Sequence, residues 1–97
     1  MNTYVLSEEA ELDIDEIYGF GVYKFGTGQA VKYLIGLEEH IQALGKNPDI
    51  GRHRAEIKKG LYSLPYVSHI IFYRKLDIKI RVVRILYGGR DLIRFLD

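Results

Sequence analysis

The stretch SHIIFYRKLDIKIRVVRILYGG, Ser68–Gly89, decides the fold. Its first part, Ser68–Lys75, is β-branched and aromatic without a breaker, and reads as a strand. Leu76-Asp77 is a turn. The run Ile78–Tyr87 then alternates: Ile78, Ile80 and Val82 fall on one side, Lys79 and Arg81 on the other. Val83, Ile85 and Tyr87 carry apolar character to both faces, as in a central strand, and Gly88-Gly89 ends it.

Upstream, the period lengthens. Thr3–Leu6 reads as a short strand that stops at Ser7, a favoured helix N-cap. Glu8, Glu9 and Glu11 follow in the first turn, where carboxylates favour the positive end of the helix dipole. Ala10, Ile14, Ile17, Tyr18 and Gly21 recur at helical spacing and predict a helix to Tyr23 or Lys24. Gly19 and Gly21 each weaken it by about 1 kcal/mol, or admit a second helix closely. After the turn Gly26-Thr27-Gly28, with Thr27 as the expected N-cap, the stripe Ala30, Tyr33, Leu34, Leu37, Ile41 and Leu44 predicts another helix. Gly45 suits a left-handed C-cap, and Pro48 prevents continuation. Between the helical hairpin and the strands lies a polar, basic loop, Gly51–Gly60 (GRHRAEIKKG), and then a strand over Leu61–Leu64. The expected order is β-α-α-β-β-β, an α+β domain spanning 1–97 with a helical hairpin packed on a mostly antiparallel sheet. Arg90–Asp97 is a short amphipathic tail.

With 97 residues, 47% hydrophobic and 28% charged, two cores or extensive disorder are not expected. No run reaches the roughly 20 apolar residues of a membrane span, and the first residues lack a secretory pattern. The absence of cysteine removes disulfides, thiolate zinc sites and cysteine nucleophiles, and fits a reducing, cytoplasmic setting. The net charge of +1 hides a polarised chain. Residues 1–45 hold eight carboxylates against two lysines (−6), and residues 46–97 hold twelve Lys or Arg against five Asp or Glu (+7). Either the halves attract one another within the fold, or the basic half meets nucleic acid or an acidic protein.

Candidate chemistry is sparse. His40, His53 and His69 have no metal-ligand spacing, so neither metal nor cofactor is expected. Ser7, Ser63 and Ser68 carry no nucleophile motif, and the glycines form no phosphate loop. Arg52, His53, Arg54, Lys58 and Lys59 read as a solvated loop or as contacts to phosphate or an acidic partner. Arg84, inside an apolar strand, must be ion-paired or face a groove. Tyr18, Tyr33, Phe72 and Tyr73 are expected in or beside the core.

Several short strings occur in an order that resembles the ParE branch of the RelE/ParE toxin superfamily. They are Leu6-Ser7 at the end of the first strand, Phe25-Gly26 and Gln29-Ala30 opening the second helix, and P-x-x-G-R-x-R-x-E-I over Pro48–Ile57. H-x-I-x-Y-R over His69–Arg74 and V-R-I-L over Val83–Leu86 complete the series. The resemblance covers nearly the whole chain and implies the same helical hairpin on an antiparallel sheet. It implies a toxin of a type II toxin–antitoxin module that poisons DNA gyrase and blocks replication. It also implies a ParD-like antitoxin whose C-terminal segment folds around the toxin in a hetero-oligomer, DNA being met only through antitoxin or gyrase.

The RelE branch instead cleaves messenger RNA in the ribosome without a metal. That chemistry needs a base, cations for the phosphorane and an acid for the leaving oxygen. Here His69 stands where RelE has an arginine, no tyrosine follows Tyr87, and Lys58 and Lys59 are displaced from the RelE lysine spacing. The resemblance therefore leans away from an enzyme; a ribonuclease and a retargeted, non-toxic binding module are the alternatives. One departure from ParE is Tyr87, where many relatives carry histidine. Target contact is expected from the basic half and tail: Arg52, Arg54, Lys58, Lys59, Arg84, Arg90 and Arg94. Antitoxin contact is expected at Val22, Val31, Ile35, Arg81 and Tyr87.

Overall fold

A computed structural model describes residues 3–89 and 92–96. Strand β1 (Tyr4–Leu6) leads into helix α1 (Glu8–Phe25) and helix α2 (Thr27–Lys46). A 3-10 turn (Pro48–Ile50) precedes strands β2 (Arg52–His53), β3 (Tyr62–Tyr66), β4 (His69–Lys75) and β5 (Ile80–Tyr87), and a short helix α3 (Ile93–Leu96) follows. The five strands form one sheet in the order β1-β5-β4-β3-β2. Only the β1–β5 pair is parallel: the helical hairpin joins β1 to β2, and three antiparallel pairings then bring the chain back so that β5 lies beside β1.

Ser7 caps α1 as expected: its Oγ accepts from Ala10 N at 3.0 Å and donates to Val83 O at 2.8 Å, which also ties the helix to the sheet. Ala10, Leu37, Ile41 and Leu44 are buried against the sheet, and Ala30 is buried against α1 at Gly21. Other expectations need correction. Tyr18 lies at the surface, one position off the α1 stripe of Ala10, Ile14 and Ile17. Gly26, at φ +91°, is the residue before α2, and Thr27 is already helical. Gly45 does not end α2, which runs to Lys46; it is small because a Cβ there would strike the backbone and side chain of Thr3. Gly21, by contrast, does admit the second helix, since its Cβ would meet Ala30 Cβ at 3.2 Å. The expected loop contains an additional edge strand, β2, which pairs Arg52 with Ser63 and His53 with Tyr62. Gly51 makes that possible by packing on Tyr73, whose hydroxyl accepts from Gly51 N (3.1 Å) and donates to Pro48 O (2.6 Å).

The sheet is covered on both sides. Ile71, Tyr73, Ile80, Val82 and Ile85 face the helices. Leu61, Phe72, Leu86 and Leu96 form a second cluster on the opposite face, under the loop carrying Ile57 and the tail carrying Leu92. Both faces continue along β5 only because of a bulge. Phe72 pairs with Arg84 and Tyr73 with Val82, so Val83 is the extra residue. Even positions 80 and 82 point to the helices before it, and Ile85 does so after it.

Candidate partner-binding groove

Past Ser7, whose N–H still donates to Val82 O at 2.9 Å, the chain leaves β5, and α1 leans on the strand instead. Asp13 holds the two together. Its carboxylate accepts from Arg84 Nε (2.8 Å), Arg84 Nη2 (2.9 Å) and Ile85 N (2.9 Å). Arg84 Nη1 donates on to Phe95 O at 3.1 Å, so a single guanidinium links α1, β5 and the tail. The Asp13 carboxylate beside it raises the Arg84 pKa above its ordinary value. Arg84 is thus held within the fold by a partner that is itself 7% exposed.

Next to this pair opens a groove of about 680 Å³ between the C-terminal half of α1, the start of α2, the β3–β4 turn and the end of β5. Phe20, Phe25, Val67 and Tyr87 line it and are exposed, while Ile17 and Ile85 lie deeper. Its floor is an aromatic network. Tyr33 Oη lies 2.6 Å from His69 Nδ1, and Tyr66 Oη donates to Tyr33 O at 2.9 Å. The rings of Tyr33 and Tyr66 meet edge-on with centroids 4.9 Å apart. Burial pushes the Tyr33 and Tyr66 hydroxyls above the ordinary phenol pKa.

The rim at Val67 is strained. Val67-Ser68 is a two-residue hairpin loop between the paired Tyr66 and His69, and Val67 sits at φ +48°. Positive φ at the first loop residue alone is the sign pattern of a type II′ turn, where glycine is the ordinary occupant. A β-branched residue there is an outlier, and its side chain is 77% exposed.

The expected site residues fall into separate places. Tyr87 lines the groove. Val31 and Ile35 lie on the outer face of α2, in a shallower depression of about 340 Å³ edged by Glu38 and Glu39. Val22 is half-buried on α1, and Arg81 is exposed on the face of the sheet away from the helices. Arg52 is exposed on β2, Arg54 pairs with Glu56 at 2.8 Å, and Lys58 and Lys59 are exposed in the following loop. Arg94 is exposed on α3, and Arg90 lies outside the described residues. His69 is on the helix side, while Lys58 and Lys59 lie on the loop over the other face, so these groups do not surround one phosphate-sized site. Phe20, Phe25 and Val67 were not expected. Their signal in the sequence is weak, since they belong to no stripe and only the folded chain puts them side by side.

A model of the ParE toxin of the parDE type II toxin–antitoxin system matches residues 4–92. The chain belongs to the ParE toxin family. Among ParE relatives, "Toxin ParE1" of Mycobacterium tuberculosis (strain H37Rv) is 37% identical over 92 residues, 94% of each chain. "Toxin ParE1" of Caulobacter vibrioides is 28% identical over 91 residues, also 94% of each. The solved structure "Chromosomal ParDE TA system from P. aeruginosa" shares the fold, with a TM-score of 0.76 at 22% identity over 87% of this chain and 92% of that one.

Proposed function

We propose that this ParE-family chain is the toxin of a type II module. In this reading it arrests growth by binding DNA gyrase and is neutralised by a ParD-like antitoxin whose C-terminal segment lies in the groove beside Tyr87. The observation that carries the antitoxin part is the groove itself: an apolar channel of about 680 Å³ whose Phe20, Phe25, Val67 and Tyr87 side chains are left in water. Contiguous exposed apolar surface of that kind marks a binding site. Gyrase as target rests on family membership; the separation of His69 from Lys58 and Lys59 weighs against the ribonuclease alternative.

Two measurements test the two parts. Calorimetric titration with the antitoxin encoded beside this gene should show Tyr87→Ala and Phe20→Ala each weakening binding at least tenfold, and unchanged affinity removes the groove as the site. Tightly controlled expression, followed by labelled thymidine and methionine incorporation, should show early loss of DNA synthesis while translation continues. Early loss of translation refutes the gyrase reading in favour of a ribonuclease, and no effect on either refutes toxicity.

A further inference from the structure

The acidic and basic halves of the chain do not neutralise each other in the fold. Among the described residues, Asp13–Arg84 is the one ion pair that joins residues 1–45 to residues 46–97; Arg54–Glu56 and Lys75–Asp49 lie within the second. The reason is topological. The helices carrying the carboxylates cover one face of the sheet, and many of the cations are on the other.

Strand alternation identifies them. On β4, Ile71 and Tyr73 face the helices and Phe72 faces away, so Arg74 also faces away. On β5, Ile80 and Val82 face the helices, so Arg81 faces away. Arg74 and Arg81 are directly paired across the two strands. Opposed side chains start about 5 Å apart, and like charges so placed are destabilising. Neither arginine has an ion-pair partner among the described residues. Protection against edge-to-edge pairing does not account for them, since β4 and β5 are interior strands. Arg74 is also aimed: its Nη1 donates to Lys59 O at 2.8 Å, beside Gly60 at φ +79°, which brings the Lys58-Lys59 turn against it. Arg52 and Arg54 extend the same face, Arg52 opposite Ser63 and Arg54 Nη1 donating to Ser63 Oγ at 3.3 Å. These six cations thus share one surface, and among the described residues the one carboxylate paired with any of them is Glu56, bound to Arg54.

We propose that this face, centred on the Arg74–Arg81 pair, binds the phosphate backbone of a nucleic-acid duplex directly. A cluster of guanidinium groups suits phosphates, which supply the charge that the fold withholds. A duplex fits better than a single strand, because stacking on unpaired bases needs exposed aromatic rings. Most exposed aromatic residues are elsewhere, Tyr18, Phe20, Tyr23 and Phe25 on α1 and Tyr87 at the groove; Phe95, on the tail that covers this face, lies beside Arg84 and not among the six cations. A protein interface would place apolar groups at the centre of the patch; here the exposed apolar residues Leu76 and Ile78 lie instead in the turn between β4 and β5, at its margin. The α1–α2 hairpin, with its acidic residues, points away from the bound duplex.

The test needs no partner protein. Fluorescence anisotropy of a labelled 24-base-pair DNA duplex is followed with the purified chain from 50 to 200 mM NaCl. Contact with three phosphates weakens binding about 40-fold across that range. Arg81→Gln and Arg74→Gln should each weaken binding and reduce the log–log salt slope by about one, whereas Lys32→Gln on α2 leaves both unchanged. The Arg81 side chain makes no hydrogen bond to another described residue and faces the like charge of Arg74, so Arg81→Gln should melt no lower than the parent while binding less. That pairing separates binding from stability, and Arg81→Gln carries the test should Arg74→Gln fold poorly. Four results would overturn the proposal: no anisotropy change at about 100 μM chain and 50 mM salt, variants that bind like the parent, a single strand bound more tightly than the duplex, or polyglutamate bound more tightly than DNA. The last would make the face an acidic-protein interface.

Discussion

Replacing Asp13 with alanine tests the link on which the groove depends. The Asp13 carboxylate is 7% exposed and accepts three hydrogen bonds, two from Arg84 and one from Ile85 N. Removing one member of a buried pair costs about 3–5 kcal/mol, because the other charge stays buried. The Arg84 side chain is 21% exposed, and water can reach it, so the lower end, about 3 kcal/mol, applies. Leaving Ile85 N–H without an acceptor adds about 1 kcal/mol. Asp13→Ala should therefore destabilise by about 3–4 kcal/mol, a fall in Tm on the order of 12–30 °C for a chain of this size. Asp13→Asn keeps an oxygen for Ile85 N–H and loses the charge, so about 2 kcal/mol is expected. Arg84→Met fills similar space and leaves the carboxylate without its cation, at about 2–3 kcal/mol. The double variant Asp13→Leu, Arg84→Met should recover at least half of the summed loss, since an apolar pair replaces an ionic one. Urea unfolding of the parent, Asp13→Leu, Arg84→Met and the double variant gives the cycle. If Asp13→Ala costs less than 1 kcal/mol, or the two single changes simply add, the pair behaves as a surface contact and the reasoning fails.

Three further changes follow from other positions. Val67→Gly removes a β-branched side chain from φ +48° and should stabilise by about 1 kcal/mol in thermal melts, while weakening antitoxin binding through loss of an apolar rim; equal or lower Tm would refute the strain. Tyr73→Phe leaves Pro48 O and Gly51 N without their partner and should cost about 2 kcal/mol in urea. Burial raises the Tyr73 pKa, so its contribution is complete below the ordinary phenol value of about 10 and is lost as pH rises through the higher folded value; phenylalanine should flatten the alkaline fall in stability, and an unchanged alkaline limb would contradict this. Gly45→Ala should destabilise by about 1–3 kcal/mol despite alanine's better helix propensity, because the Cβ meets Thr3, and a gain in Tm would show that β1 shifts freely.

The parts of the fold legible in the sequence were those set by local periodicity. The α2 stripe from Ala30 to Leu44, the Ser7 cap and strands β4 and β5 depend on neighbours within a few residues. What could not be read depends on contacts distant in sequence. Gly45 looks like a helix stop until Thr3 is placed against it, and Arg52–His53 looks like loop until Ser63 and Tyr62 pair with it. Pro65 sits within β3 because β2 reaches only Tyr62 and Ser63, which leaves Pro65 at an open edge where its missing N–H costs nothing. Tyr87 was singled out from the resemblance alone; Phe20, Phe25 and Val67 join it in lining the groove only through the hairpin crossing and the β3–β4 turn.

The bulge at Val83 shows why the candidate groove was the least legible part. Read by strict alternation, Val82 and Arg84 share the helix side and Ile85 points away. One extra residue reverses this, sending Ile85 toward the helices and the groove floor and Leu86 into the opposite cluster. The same irregularity leaves Arg84 at the point where β1 has ended and α1 begins to cover β5, within reach of both Asp13 and the Phe95 carbonyl. Nothing in VVRIL distinguishes a bulged strand from a regular one, because both place apolar residues on both faces. The distinguishing partner is Asp13, an acid that reads as one more member of a solvated helix face but is the only one of that first helix to be buried. A buried acid on α1 and a buried-side arginine on β5 therefore specify each other, and together they set how far α1 stands from the strand edge where the groove opens.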